Sequence, residues 1–113
     1  MAELRTWGPG EPCYLQFSSG NTRFPKGIDI PQRALMANCH AIAVDGLDFR
    51  PGDRAASWLP LYHDMGLICA WLSCLVYAIP FVVMSPLRFL AAPQRWLQAI
   101  HDYRGTQIGR AHV

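Results

Sequence analysis

The residues best suited to chemistry lie in one short stretch, Ser18-Ser19-Gly20-Asn21-Thr22-Arg23-Phe24-Pro25-Lys26-Gly27. Glycine lets a backbone turn its N–H groups toward an anion. The hydroxyls of Ser18, Ser19 and Thr22 can donate to phosphate oxygens, as can the amide of Asn21. Arg23 and Lys26 bring neutralising charge. The chemistry this suits is phosphate binding. It is not a Walker loop, because Pro25 stands where the second Gly belongs and Gly27 where Ser or Thr follows the Lys. The same composition also suits an ordinary polar turn, and composition alone leaves both readings open. A second candidate is His63 beside Asp64. They follow a strand candidate, where α/β sheets place ligand sites, and a neighbouring carboxylate can orient an imidazole. A lone His is as readily a satisfied structural residue. Cys39, His40, Cys69 and Cys74 could form a metal site or be buried thiols. No pair of cysteines has the two-residue spacing of a zinc knuckle or a thioredoxin-type site.

These candidates need elements to hold them. Cys13–Phe17 (CYLQF) reads as a strand leading into the polar loop, and Ile28–Ile30 as a second short strand after it. Pro31 suits the first turn of a helix that runs to about Val44, with Leu35, Cys39 and Ile42 on one stripe and Gly46 able to stop it. Arg50-Pro51-Gly52-Asp53 is a turn. Ala56–Leu59 (ASWL) is a strand candidate, and Pro60–Asp64 the loop at its C-terminal end. Met65–Ala78 reads as an apolar helix and Phe81–Met84 as a strand. Pro93 opens a last helix, with Trp96, Ile100 and Tyr103 on one face and Gly105 past its end. Strands alternating with helices predict an α/β fold of βαβ units, with a parallel sheet flanked by helices and buried on both faces.

Composition narrows the classes. The chain has 113 residues, 51% of them apolar and 16% charged, with a formal net charge of +2. So small a basic excess argues against nucleic acid as a partner, and the aromatic content argues against disorder. Met1–Arg5 lacks a basic region followed by an apolar run, so no signal peptide is expected and free thiols in a reducing, cytoplasmic setting are the default. Gly66–Met84 is an uncharged apolar run long enough to span a membrane, which keeps a small membrane-anchored protein as an alternative. Pro80 inside it, the β-branched Val82 and Val83 beyond, and no flanking basic cluster favour a buried helix followed by a buried strand, with no membrane span.

Tyr14–Ile28 (YLQFSSGNTRFPKGI) resembles the phosphate-binding loop of the adenylate-forming enzymes, the superfamily of acyl-CoA synthetases, peptide-synthetase adenylation domains and luciferases. Ser57–Leu67 (SWLPLYHDMGL) is a second match downstream, and Met84-Ser85-Pro86 with Trp96–Ile100 and Tyr103-Arg104 a third. Arg23 directly after the loop Thr, and the Tyr62–Leu67 block, make the chain most similar to the fatty acyl-AMP ligases. That resemblance implies joining of a fatty acid carboxylate to the α-phosphorus of ATP, with Mg2+, releasing pyrophosphate. The acyl group then passes to an acyl carrier protein, often of a polyketide or peptide synthase. It implies that Ser18, Ser19, Gly20, Asn21, Thr22, Arg23, Lys26 and Gly27 face the ATP phosphates. It further implies that His63, Asp64 and Gly66 border the acyl chain and its carboxylate. Asn21 departs from the usual Ser or Thr of the loop. Trp58, Met65, Trp71 and Trp96 are candidates for an acyl-tunnel wall or for core. CoA-forming acyl-CoA synthetases and peptide-synthetase adenylation domains are the nearer alternatives.

The resemblance also defines what is missing. The family's adenine- and magnesium-binding block, ribose-binding block, hinge and C-terminal lysine do not occur in these residues. The expectation is a partial adenylation domain over residues 1–107, an incomplete piece of the large N-terminal domain, inactive by itself. Ile108–Val113 reads as translated sequencing adapter.

Overall fold

A computed structural model describes residues 4–18 and 23–108. The chain divides into two compact units, residues 1–38 and 39–113, and each is described by itself.

In the first unit, β1 (Pro12–Phe17) and β2 (Gly27–Pro31) form an antiparallel hairpin, with Leu15 opposite Asp29 and Phe17 opposite Gly27. The two strands read from the sequence are both present, but they pair with each other in an antiparallel two-stranded sheet and are not strands of a parallel sheet as expected. The connection between them is too short for a parallel crossover, which needs a dozen or more residues. Glu11 anchors the entry to the hairpin. Its carboxylate accepts the Gly8 N–H and pairs with Arg5, whose guanidinium lies over the Trp7 ring. Pro31 ends β2 and the helix α1 (Gln32–His40) begins at once, burying Leu35.

The second unit holds the parallel sheet. Strands β3 (Ala55–Ser57), β4 (Phe81–Val83) and β5 (Gln107–Ile108) are ordered β4-β3-β5, all parallel. All three residues of central β3 are buried, as expected for a strand covered on both faces. Ala41–Gly46 is π-helical and buries Ala43. Met65–Leu72 is also π-helical and runs into α2 (Ser73–Val76). The Ser73 hydroxyl and its N–H both donate to the Ile68 carbonyl. No described helix is long and apolar enough to cross a membrane. The apolar run instead breaks after Val76 in a Schellman turn. Ile79 N–H donates to Cys74 O and Ala78 N–H to Leu75 O, with Ala78 left-handed at φ 53°. Pro80 follows, its carbonyl accepting the Ala55 N–H.

Two further helices complete the unit, α3 (Pro86–Ala91) and α4 (Gln94–Asp102). The first of these is not among the elements expected from the sequence. Its signature is nonetheless present, since Ser85 is the N-cap, its Oγ accepts the Arg88 N–H, and Pro86 sits in the first turn. The end of α4 repeats the Schellman pattern, with Gly105 N–H on Ile100 O, Arg104 N–H on His101 O, and Arg104 at φ 53°. Among the described residues the largest fully buried side chains are Cys39, Cys74 and Ser73, while Leu87, Leu90 and Leu97 stay largely exposed. The adapter reading of Ile108–Val113 falls on residues of which only the Ile108 backbone is described; it pairs with Ala56.

Candidate functional site

The polar loop is the turn of the β1–β2 hairpin. Ser18 and Lys26 close its mouth with two hydrogen bonds. Ser18 N–H donates to Lys26 O at 2.8 Å, and Lys26 N–H donates to Ser18 Oγ at 3.0 Å. Ser18 Oγ therefore uses an acceptor position on the loop itself and keeps its O–H for another partner. Arg23 and Lys26 are exposed at this turn, two cations with no carboxylate paired to them among the described residues. Gly27 faces the strand side. A Cβ there would lie 3.4 Å from Leu15 and 3.5 Å from Phe17, ordinary contact distances, so its lack of a side chain is not demanded by space. Ser19, Gly20, Asn21 and Thr22, which the sequence places in the same loop, lie outside the described residues.

The second group assembles in the other unit, at the C-terminal end of β3. The chain leaves Ser57, whose Oγ accepts the Leu59 N–H, and turns at Pro60. The Pro60 carbonyl accepts the His63 N–H at 3.2 Å, and the His63 carbonyl accepts the Leu67 N–H at 2.9 Å. Asp64 is the N-cap of the π-helical segment, with Oδ1 accepting the Met65 N–H at 2.8 Å. The same Oδ1 lies 2.8 Å from His63 Nδ1, which is also 3.2 Å from the Met65 nitrogen. The imidazole is thus tied on its Nδ1 side, and Nε2 is left without a partner among the described residues. Gly66 is buried directly behind this turn. His63, Asp64 and Gly66 thus lie in one turn at the C-terminal end of β3.

Around them, Trp58 stacks on Phe89 of α3, with centroids 4.1 Å apart and planes 3° apart, and Phe89 meets Trp96 of α4 edge-on at 5.9 Å. Both tryptophans are candidates from the sequence; Phe89, which joins them, is not. Met65 and Trp71 are exposed. Cys13, Cys39, Cys69 and Cys74 are free thiols. Cys39 and Cys74 are buried, and burial, helped by Cys69 nearby, pushes the Cys74 thiol up to about 11. Burial also raises Cys69, with a smaller contribution from Cys39. No group of three or more His, Cys, Asp or Glu among the described residues could hold a metal ion.

Comparison with known proteins gives this geometry a family. The sequence profile described as AMP-binding enzyme matches residues 2–109. The chain belongs to the AMP-binding enzyme family. A putative acyl-CoA synthetase of Caulobacter vibrioides is 50% identical over 105 residues, covering 93% of this chain and 18% of that protein. A long-chain-fatty-acid–AMP ligase of Mycolicibacterium smegmatis is 38% identical over 114 residues, covering 96% of this chain and 18% of that protein. A solved structure from work on fatty acyl-adenylate ligases of E. coli and L. pneumophila superposes with a TM-score of 0.82 at 44% identity, over 88% of this chain and 18% of the other. This AMP-binding chain thus has the α/β fold of that family and spans under a fifth of the length of the relatives it matches.

Proposed function

We propose that the chain carries the ATP-phosphate loop and part of the acyl-carboxylate pocket of a fatty acyl-AMP ligase. The supporting observation is the likeness, across nearly all of the chain, to fatty acyl-adenylate ligases. Adenylation sets a carboxylate against a phosphorus ringed by negative oxygens, so catalysis is positioning and charge neutralisation. The residues fit that task. Ser18, Ser19, Asn21 and Thr22 offer donors, Gly20 and Gly27 an approachable backbone, and Arg23 and Lys26 positive charge near the leaving pyrophosphate. His63, oriented by Asp64, faces the fatty acid carboxylate. Mg2+ accompanies ATP and neutralises its phosphates when bound, with ligands outside these residues. The acyl-AMP then yields its acyl group to the thiol of an acyl carrier protein, in the cytoplasm. Residues 1–107 form part of the adenylation domain, and Ile108–Val113 is translated adapter whose first residue extends β5 beside Ala56.

A second reading is a CoA-forming acyl-CoA synthetase, favoured by the name of the Caulobacter relative. One experiment separates the two. The reading frame encoding these residues is sequenced past the codon for Gln107, and the complete protein is expressed and given fatty acid, ATP and Mg2+, with hydroxylamine to trap acyl-AMP. A ligase yields trapped hydroxamate and pyrophosphate, and added CoA gives no acyl-CoA. Acyl-CoA formation establishes the second reading, and no pyrophosphate release under either condition refutes both.

A further inference from the structure

We propose that Gly66 is a positioning residue for His63, acting through the carbonyl of Pro60. The inference rests on the reading of His63 as the group that faces the fatty acid carboxylate. Gly66 is not demanded by backbone conformation, since the only described glycine with positive φ is Gly52. It is demanded by space. A Cβ at Gly66 would stand 2.7 Å from the Pro60 carbonyl carbon, 3.1 Å from the Leu59 carbonyl carbon, and closer still to the Pro60 oxygen. All three are backbone atoms, so no flexible side chain can move aside.

That oxygen is the atom that accepts the His63 N–H. The links therefore run in one direction. Bare Gly66 lets the Pro60 carbonyl sit against the start of the π-helical segment. The carbonyl fixes the His63 backbone. Leu67 N–H on the His63 carbonyl, and Met65 N–H with Asp64 Oδ1 beside Nδ1, then fix the ring with Nε2 free. Any side chain at 66 pushes the Pro60 carbonyl outward and turns His63 with it. Tyr62 and His63 are exposed at the tip of this turn, so nothing else among the described residues holds the ring in place.

The test is a double-mutant cycle in the complete protein encoded by the reading frame. Gly66→Ala is expected to lower kcat for acyl-AMP formation by about tenfold or more, since small displacements of a reacting group carry penalties of that order. The KM for ATP stays within about twofold. In a His63→Ala background the Gly66→Ala loss disappears, because the residue it acts through is gone. Gly46→Ala is the control, as its added Cβ would lie 3.4 Å from Ala41 O, the edge of ordinary contact. Equal losses from Gly66→Ala with and without His63 overturn the inference. If His63→Ala alone changes neither kcat nor the fatty-acid KM, the reading of the site falls, and this inference with it. If the complete protein does not adenylate, the reading of the site and this inference fall together; if only Gly66→Ala does not fold, amide hydrogen exchange at His63 in the unaltered protein decides. Protection of that amide is the expected result, and exchange at the rate of an unstructured chain overturns the inference.

Discussion

The hydroxyl of Thr106 donates to Asp53 Oδ1 at 2.6 Å and accepts the Arg54 N–H at 3.1 Å, fastening the start of β5 to the start of β3. Gln107 Nε2 reaches the other Asp53 oxygen, which also accepts the Arg50 N–H at 2.8 Å. These bonds hold the Asp53 carboxyl below its ordinary pKa, the Thr106 hydroxyl being the largest cause and the Arg50 N–H the next. A depressed folded-state pKa gives stability that is present above the unfolded value, near 3.9, and is lost as pH falls through the folded value. Thr106→Val removes both of these bonds and is expected to cost about 1–2 kcal/mol at pH 7, at the low end of two such bonds because they lie near the surface. It should also flatten the fall in stability between neutral and acid pH. Urea melts at several pH values on both proteins check this. A parallel pH dependence in the variant contradicts it.

Two helix ends place non-glycine residues where glycine is favoured. Ala78 and Arg104 are both left-handed at φ 53° in Schellman turns. That conformation costs an L-residue about 1–2 kcal/mol, and the greater unfolded-state entropy of glycine offsets part of the gain from replacing it. Ala78→Gly and Arg104→Gly should each stabilise by about 0.5–1 kcal/mol. Denaturation midpoints measure it, and a loss in both variants contradicts the assignment.

The thiols should react in a fixed order. Cys13 is half-buried on the hairpin, whereas Cys39 and Cys74 are buried and Cys74 is pushed up to about 11. Because the thiolate is the nucleophile, a thiol-specific chromogen at pH 8 is expected to label Cys13 first and Cys74 only after denaturant is added. Mass mapping of partly labelled protein reads the order directly.

Trp96 carries a buried indole N–H with no acceptor among the described residues. Trp96→Phe removes that unsatisfied donor and keeps an aromatic ring against Phe89. The lost area and the removed penalty oppose each other, so stability should stay within about 1 kcal/mol. Phe89→Ala breaks both ring contacts of Phe89 and should cost about 2–3 kcal/mol in the same melts.

Much of this is legible in the residues. Turn chemistry and Pro31 bound the hairpin strands, Pro80 divides the long apolar run, and the spacing of Leu35 and Cys39 marks the buried face of α1. Alternation along β1 and β2 does not show that they pair with each other, but the shortness of the loop between them fixes the direction once they do, since a parallel crossover needs a dozen or more residues. The Ser85-Pro86 start of α3 is a readable cap signal, although the six-residue helix after it is too short to show a periodic stripe. The close approach of Gly66 to Pro60 cannot be read. It is a through-space requirement between residues six apart, and no backbone angle advertises it. The adjacency of His63 and Asp64 is plain in the sequence, but the tie between Met65 N–H and the imidazole depends on how the chain turns there.

The π-helical register of Met65–Leu72 makes this segment tolerant in a way β3 is not. A π turn closes on the fifth residue where an α turn closes on the fourth, so each holds one residue more. Removing a single residue around Ala70 lets an α turn re-form in place of a π turn, so that the downstream residues, buried Ser73 and Cys74 among them, keep close to their present orientation. Removing one from Ala55–Ser57 instead sends the next side chain to the opposite face of a strand buried on both sides. Length differences among relatives are thus expected to collect in this helix, behind a His63 turn whose own length is fixed by Gly66 and Pro60.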